Sequence, residues 1–314
     1  PLPDLISRTT RGVYIICATP FFPDGRIDFS SLDRLIDFYL EKGVNGLTVL
    51  GMMGEADKLT PEERRAVFDR VMKRIGGRVP VVAGVSDAGL ANLAGLTAHV
   101  MDAGAAGVMV APSRGPARED RVTAYYHQVC EAIGPQVPVV FQDFPQATGI
   151  PVSPRAILEL TRERPQIVML KHEESPGLAK ISAVRAAEAS GTAPRMSILC
   201  GNGGIFLPQE LGRGADGAMT GFAFPEALVE TVRLHAAGDA DAAEDLYDCY
   251  LPILRHEQQL GLGLALRKHI LMRRGAIADA CLRAPGPKLS AADIAEMDRL
   301  IARTEAKVRE LKGS

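Results

Sequence analysis

Eight short β-rich runs, amphipathic segments between them and a recurring glycine exit predict an α/β fold, a (β/α)8 barrel with a C-terminal helical extension. The runs are GVYIICATPF (12–21), NGLTVLG (45–51), VPVVAGV (79–85), AGVMVAP (106–112), VPVVFQDF (137–144), IVMLKHEE (167–174), RMSILCGN (195–202) and GAMTGFAF (217–224). Near-continuous apolar strands are what a parallel sheet buried on both faces requires, and βα alternation forces right-handed crossovers. EKGVNGLTVL, DAGAAGVMVA and GRGADGAMTG each read as a glycine-bearing helix exit, two residues, another glycine, then a strand. A doubly wound open sheet is the runner-up; no GxGxxG follows the first run to support it.

The segments between the runs carry helical spacing, as Leu32, Leu35, Ile36 and Tyr39 do in the first. Helix starts are marked by Asp28 before FSSLDRLIDFYL, by Thr60-Pro61-Glu62-Glu63 before RRAVFDRV, and by Ser153-Pro154 before RAILEL. Residues 1–225 hold the eight expected strands and their helices. Residues 226–314 add no strand signal: PEALVETVRLHAAG completes the eighth unit, and three further helical segments follow. Such an extension is expected to pack on the barrel or a neighbouring subunit as part of one structural unit.

Composition narrows the function classes. The 314 residues are 46% hydrophobic and 24% charged with a formal charge of −2, which offers no electrostatic footprint for nucleic acid or an anionic membrane. Five scattered cysteines without a CxxC spacing fit reduced thiols, and six histidines form no HxH or HExxH pattern, so no metal site is expected. PLPDLISRTT has neither the basic region nor the apolar core of a secretory signal, and no apolar run has the length of a membrane span. A cytoplasmic protein is the expectation.

In a barrel of this class chemistry sits where strands end and loops begin. The sixth run takes on a lysine and two glutamates at its end. Strand alternation puts Ile167, Met169, Lys171 and Glu173 on one face. If that face is the lumen, apolar neighbours disfavour the charged lysine and supply free amine for a carbonyl, with Glu173 one layer higher. The alternative is an ion pair on a solvated strand end.

Together these strand ends resemble the dihydrodipicolinate synthase / N-acetylneuraminate lyase family of class I aldolases. The landmarks are ATPFFPDGRID (18–28), GMMGE (51–55) where the family carries GTTGE, VAPS (110–113), FQDFPQATG (141–149), MLKHEE (169–174) and GADGAMTGFAFP (214–225). The resemblance implies that Lys171 forms the Schiff base. It also implies a homotetramer and, because the iminium is the electron sink, no metal or organic cofactor. By the same likeness Gly51, Met52, Met53, Gly201, Asn202, Met219 and Thr220 bind substrate, the backbone N–H groups of Met52 and Met53 holding a carboxylate.

The departures from the family pattern carry more information. Its tyrosine–threonine–tyrosine hydroxyl relay corresponds to Gln142, Met52 and, approximately, Arg114. A glutamine amide is no acid or base near pH 7. The arginine of the synthases corresponds to Ala147, and the acidic pair of sialic acid lyases to Gly203 and Gly204. Glu173 stands where the family commonly has a small residue, and takes over the lost proton transfers in this reading; Gln142 holds a substrate hydroxyl or a water. GMMGE, FQDF and LKHEE most resemble the sugar-acid dehydratase branch of the family. That likeness implies dehydration of L-2-keto-3-deoxyarabonate to 2,5-dioxopentanoate, with pyruvate as a substrate analogue. A retro-aldolase releasing pyruvate, and a barrel that binds sugar acids without catalysis, are the alternatives.

Overall fold

The computed structural model describes residues 5–112 and 118–313. Eight parallel strands close into a barrel in chain order. They are β1 (Gly12–Ile16), β2 (Gly46–Val49), β3 (Val81–Gly84), β4 (Gly107–Val110), β5 (Val139–Asp143), β6 (Ile167–His172), β7 (Ser197–Cys200) and β8 (Gly217–Ala218). Every expected run contributes its strand, cut back at the C-terminal end. The residues cut away form the loops of the barrel mouth.

Around the barrel run α1 (Phe29–Glu41), α2 (Pro61–Ile75), α3 (Leu90–Asp102), α4 (Glu119–Ile133), the short α5 (Pro145–Thr148), α6 (Pro154–Glu163), α7 (Leu178–Ala189), α8 (Leu207–Gly212) and α9 (Pro225–Ala236). Their caps form as the sequence predicts. Asp28 accepts from the Ser31 N–H at 2.9 Å, and Ser153 from the Ala156 N–H at 3.2 Å. Thr60 and Glu63 make a reciprocal capping box, at 3.2 and 3.0 Å. The extension is three helices, α10 (Ala240–Glu257), α11 (Gly263–Arg273) and α12 (Ala291–Gly313), with α10 packed on α9 and α12. No helix among the described residues is long and apolar enough to cross a membrane.

Two apolar layers result. Between strands and helices lies the larger; the smaller fills the lumen with Tyr14, Val82, Met109, Val140, Met169 and Met219. Ile6 seals the N-terminal end, its N–H on the Ala106 carbonyl at 2.9 Å. One expectation needs correction. Ile167 belongs to the outer layer whereas Met169 is in the lumen. The register between β5 and β6 slips between Val139 and Val140, so Ile167 and Met169 oppose consecutive residues. This bulge resets the alternation, and only from Met169 onward does the odd-numbered face point inward.

The even-numbered face of β6 meets a dry polar cluster. Lys180 of α7 donates to Asp143 at 2.7 Å, while His172 lies 3.9 Å from both Asp143 and Glu210 of α8. Burial pushes the His172 pKa down to about 4, Asp143 up to about 6 and Glu210 up to about 7. Glu210 therefore keeps its proton in the fold at pH values where the unfolded chain has lost it. Its contribution to stability is full below the ordinary glutamate pKa and disappears as pH rises through about 7. Glu210→Gln is expected to flatten the fall in Tm between about pH 5 and pH 8. Thermal melts across that range check this; an unchanged slope would remove Glu210 from the pH response.

Candidate active site

Pairing of β5 with β6 sets Gln142 beside Lys171 at the barrel mouth. Both are buried, as is Glu173, which follows the end of β6. The Lys171 amine lies 3.3 Å from Glu173 Oε2, and the Gln142 amide donates to that same oxygen at 2.8 Å. The Asn202 N–H donates to Glu173 Oε1 at 3.3 Å. Gly201 makes room for this carboxylate, since a Cβ there would sit 2.4 Å from Glu173 Cγ. A lysine–glutamate pair exists, then, but Lys171 is only 3% exposed, so the solvated strand-end alternative does not hold.

Burial pushes the Lys171 pKa below its ordinary value; the Glu173 carboxylate pulls it back, and the Arg267 guanidinium lowers it further. Burial thus makes the amine easier to deprotonate, with the Glu173 side chain beside it. That is the requirement for imine chemistry next to an acidic carbon.

The lysine opens into a cavity of about 420 Å³. Met52, Met53, Gln142, Lys171, Glu173, Asn202 and Thr220 line it as the sequence suggests. Gly51, Gly201 and Met219 do not: Met219 packs in the lumen layer below, and the two glycines shape the backbone beside the wall. Thr220 is the sole hydroxyl among the described lining residues. Ala147 is on α5, outside this wall, and Arg114 falls outside the described residues.

The loop Met52–Gly54 is a single 3-10 turn. Among the described residues the N–H groups of Met52 and Met53 make no hydrogen bond beyond it, so they remain donors for an anion. Leu50, Glu55 and Asn202 are the described non-glycine residues with positive φ, at 59°, 52° and 49°. Asn202 lines the cavity, and Leu50 and Glu55 bracket the turn that carries Met52 and Met53, each at a cost on the order of 1 kcal/mol. Glu55 is held there by the fully buried Lys268 of α11 at 2.6 Å, and it accepts from the Arg283 N–H at 3.0 Å.

From sequence the extension is expected only to pack on the barrel or a neighbouring subunit. In fact Glu257, Gln258 and Arg267 form the far wall of the cavity. Arg267 Nε donates to Glu257 at 2.7 Å, and its Nη1 lies 3.0 Å from Met53 Sδ. Burial lifts the Glu257 pKa to about 7 against the pull of that guanidinium. The sign in the sequence is faint: EQQLGLG (257–263) is a polar, glycine-bearing break between two helical segments.

Comparison with known proteins agrees with this geometry. The profile of the dihydrodipicolinate synthetase family matches residues 9–304. An L-2-keto-3-deoxyarabonate dehydratase from Azospirillum brasilense is 30% identical over 283 residues, covering 89% of each chain. The crystal structure of a dihydrodipicolinate synthase from Rhodopseudomonas palustris superposes with a TM-score of 0.93 at 44% identity, over 96% of this chain and 99% of that one. The Escherichia coli K12 prophage protein YagE, solved in complex with pyruvate, gives 0.85 at 25% identity, over 94% and 98%. A closed eight-stranded barrel, a lysine buried at the end of its sixth strand and a profile match over nearly the whole length have one reading: the chain belongs to the dihydrodipicolinate synthetase family and is a lyase of the class I aldolase type.

Proposed function

We propose that this enzyme is a Schiff-base dehydratase converting L-2-keto-3-deoxyarabonate to 2,5-dioxopentanoate and water. The observation that carries the reading is the buried Glu173 carboxylate 3.3 Å from the Lys171 amine, with an amide at Gln142 in place of an acid–base hydroxyl. The dehydratase from Azospirillum brasilense supports it. The Rhodopseudomonas palustris structure favours a synthase instead. Against that stand Gln142 and Ala147, where the family resemblance places the relay tyrosine and the arginine for the second substrate.

The Lys171 amine adds to C2 of the keto acid and expels water to form an iminium. Met52 and Met53 N–H groups take the C1 carboxylate. Glu173 removes a C3 proton, and the enamine so formed drives off the C4 hydroxyl, which leaves as water with a proton from Glu173. The resulting C3=C4 iminium loses a C5 proton and regains one at C3. The C5 enol then becomes an aldehyde as C4 is protonated, and hydrolysis frees the product. The iminium is the electron sink throughout, so the scheme uses no metal or organic cofactor. The same family likeness supports a homotetramer.

Borohydride reduction in the presence of pyruvate is expected to add mass at Lys171 in the native enzyme and not in Lys171→Ala, read by peptide mass spectrometry. An unmodified Lys171 in the native enzyme would favour the binding-only alternative. Glu173→Gln preserves the amide contact and is expected to retain trapping while turnover falls about a hundredfold or more. Normal turnover by that variant takes Glu173 out of the mechanism. Incubation with the five-carbon acid is expected to yield the semialdehyde; pyruvate in quantity would instead identify a retro-aldolase.

A further inference from the structure

Beyond the reacting carbons, the cavity ends on a side chain that the barrel does not supply. Gln258 caps the C-terminus of α10, and its amide reaches over the turn after β7. A Cβ on Gly203 would lie 1.9 Å from Gln258 Nε2 and 2.6 Å from its Cδ, so residue 203 is free of a side chain where Gln258 occupies the space. Gly204 is covered likewise by Tyr247, whose hydroxyl donates to the Gly204 carbonyl at 2.7 Å. Gln258 Nε2 is buried with no hydrogen-bond partner in the described structure, although Gln258 lines the same cavity as Lys171 and Glu173. A helix-end glutamine in a packing role turns its amide to water or to a backbone carbonyl. An orphaned amide donor packed at the edge of a substrate cavity gains a partner by turning toward an acceptor on the ligand.

We propose that Gln258 is the specificity-determining residue for the far end of the substrate. Its amide donates to the terminal hydroxyl of a five-carbon 2-keto-3-deoxy acid, and its bulk over Gly203 limits the chain to that length. The proposal rests on Lys171 being the imine-forming lysine and is independent of which bond is later broken. The Arg267–Glu257 pair closes the wall beside it.

Capture at Lys171, measured by borohydride trapping under competition, tests the proposal without requiring turnover. The probes are the five-carbon acid, its 5-deoxy analogue, the six-carbon homologue and pyruvate. Native enzyme is expected to capture the five-carbon acid about tenfold better than the 5-deoxy analogue. Gln258→Ala is expected to erase that preference, to improve capture of the six-carbon acid and to leave pyruvate unchanged. Equal capture of the two five-carbon probes by native enzyme overturns the proposal whatever the variant does. So does a variant that loses all four probes alike. If native enzyme captures none of them, the Schiff-base reading itself has failed and the proposal falls with it.

Discussion

Holding the Lys171 amine out of water is the constraint around which the mouth of this barrel is arranged. An isolated ammonium in an apolar lumen is penalised by several kcal/mol, and a paired one is tolerated only where the partner's own lone pairs are also satisfied. Glu173 is that partner, and its two oxygens are engaged by Gln142 and by the Asn202 N–H. Pairing steadies the charged lysine without making its charge comfortable, so burial still prevails and its pKa stays lowered. Stability and reactivity pull on the same contact from opposite sides.

The surroundings of this pair are built to hold it still. Behind it, on the outer face of β5 and β6, Lys180 fastens Asp143 against a neutral His172. In front of it, residues in the left-handed region bend the ends of β2 and β7 around the cavity. Strained backbone of this kind persists only where the surroundings over-determine it. For Glu55 the surroundings are the neighbouring Lys58 together with Lys268 and the Arg283 N–H, the last two from the extension.

Much of this was legible from residues alone, because the governing signals are local. Apolar runs of β-rich residues between capped helices specify eight βα units, and a lysine followed two places on by a glutamate specifies a common face. The bulge at Val139/Val140 was not legible. It leaves no compositional mark, and it turned Ile167 outward while Met169, Lys171 and Glu173 kept the expected direction. Neither was the role of Gln258 and Arg267. They lie far along the chain from Lys171, Gln258 at the C-cap of α10 and Arg267 on α11, helices whose buried residues are accounted for by packing. Long-range placement of that kind follows from tertiary closure, for which no spacing rule exists.

The dependence of Glu55 on Lys268 has a consequence for how the molecule comes into being. Synthesis runs from the N-terminus, so the strand bearing Lys171 leaves the ribosome well before α11 does. Until that helix docks, the turn after β2 has only the neighbouring Lys58 as a cation for Glu55, and the cavity lacks its far wall. A nascent barrel can thus be complete in its strands while its nucleophile still faces an unfinished vestibule. Competence arrives with the tail.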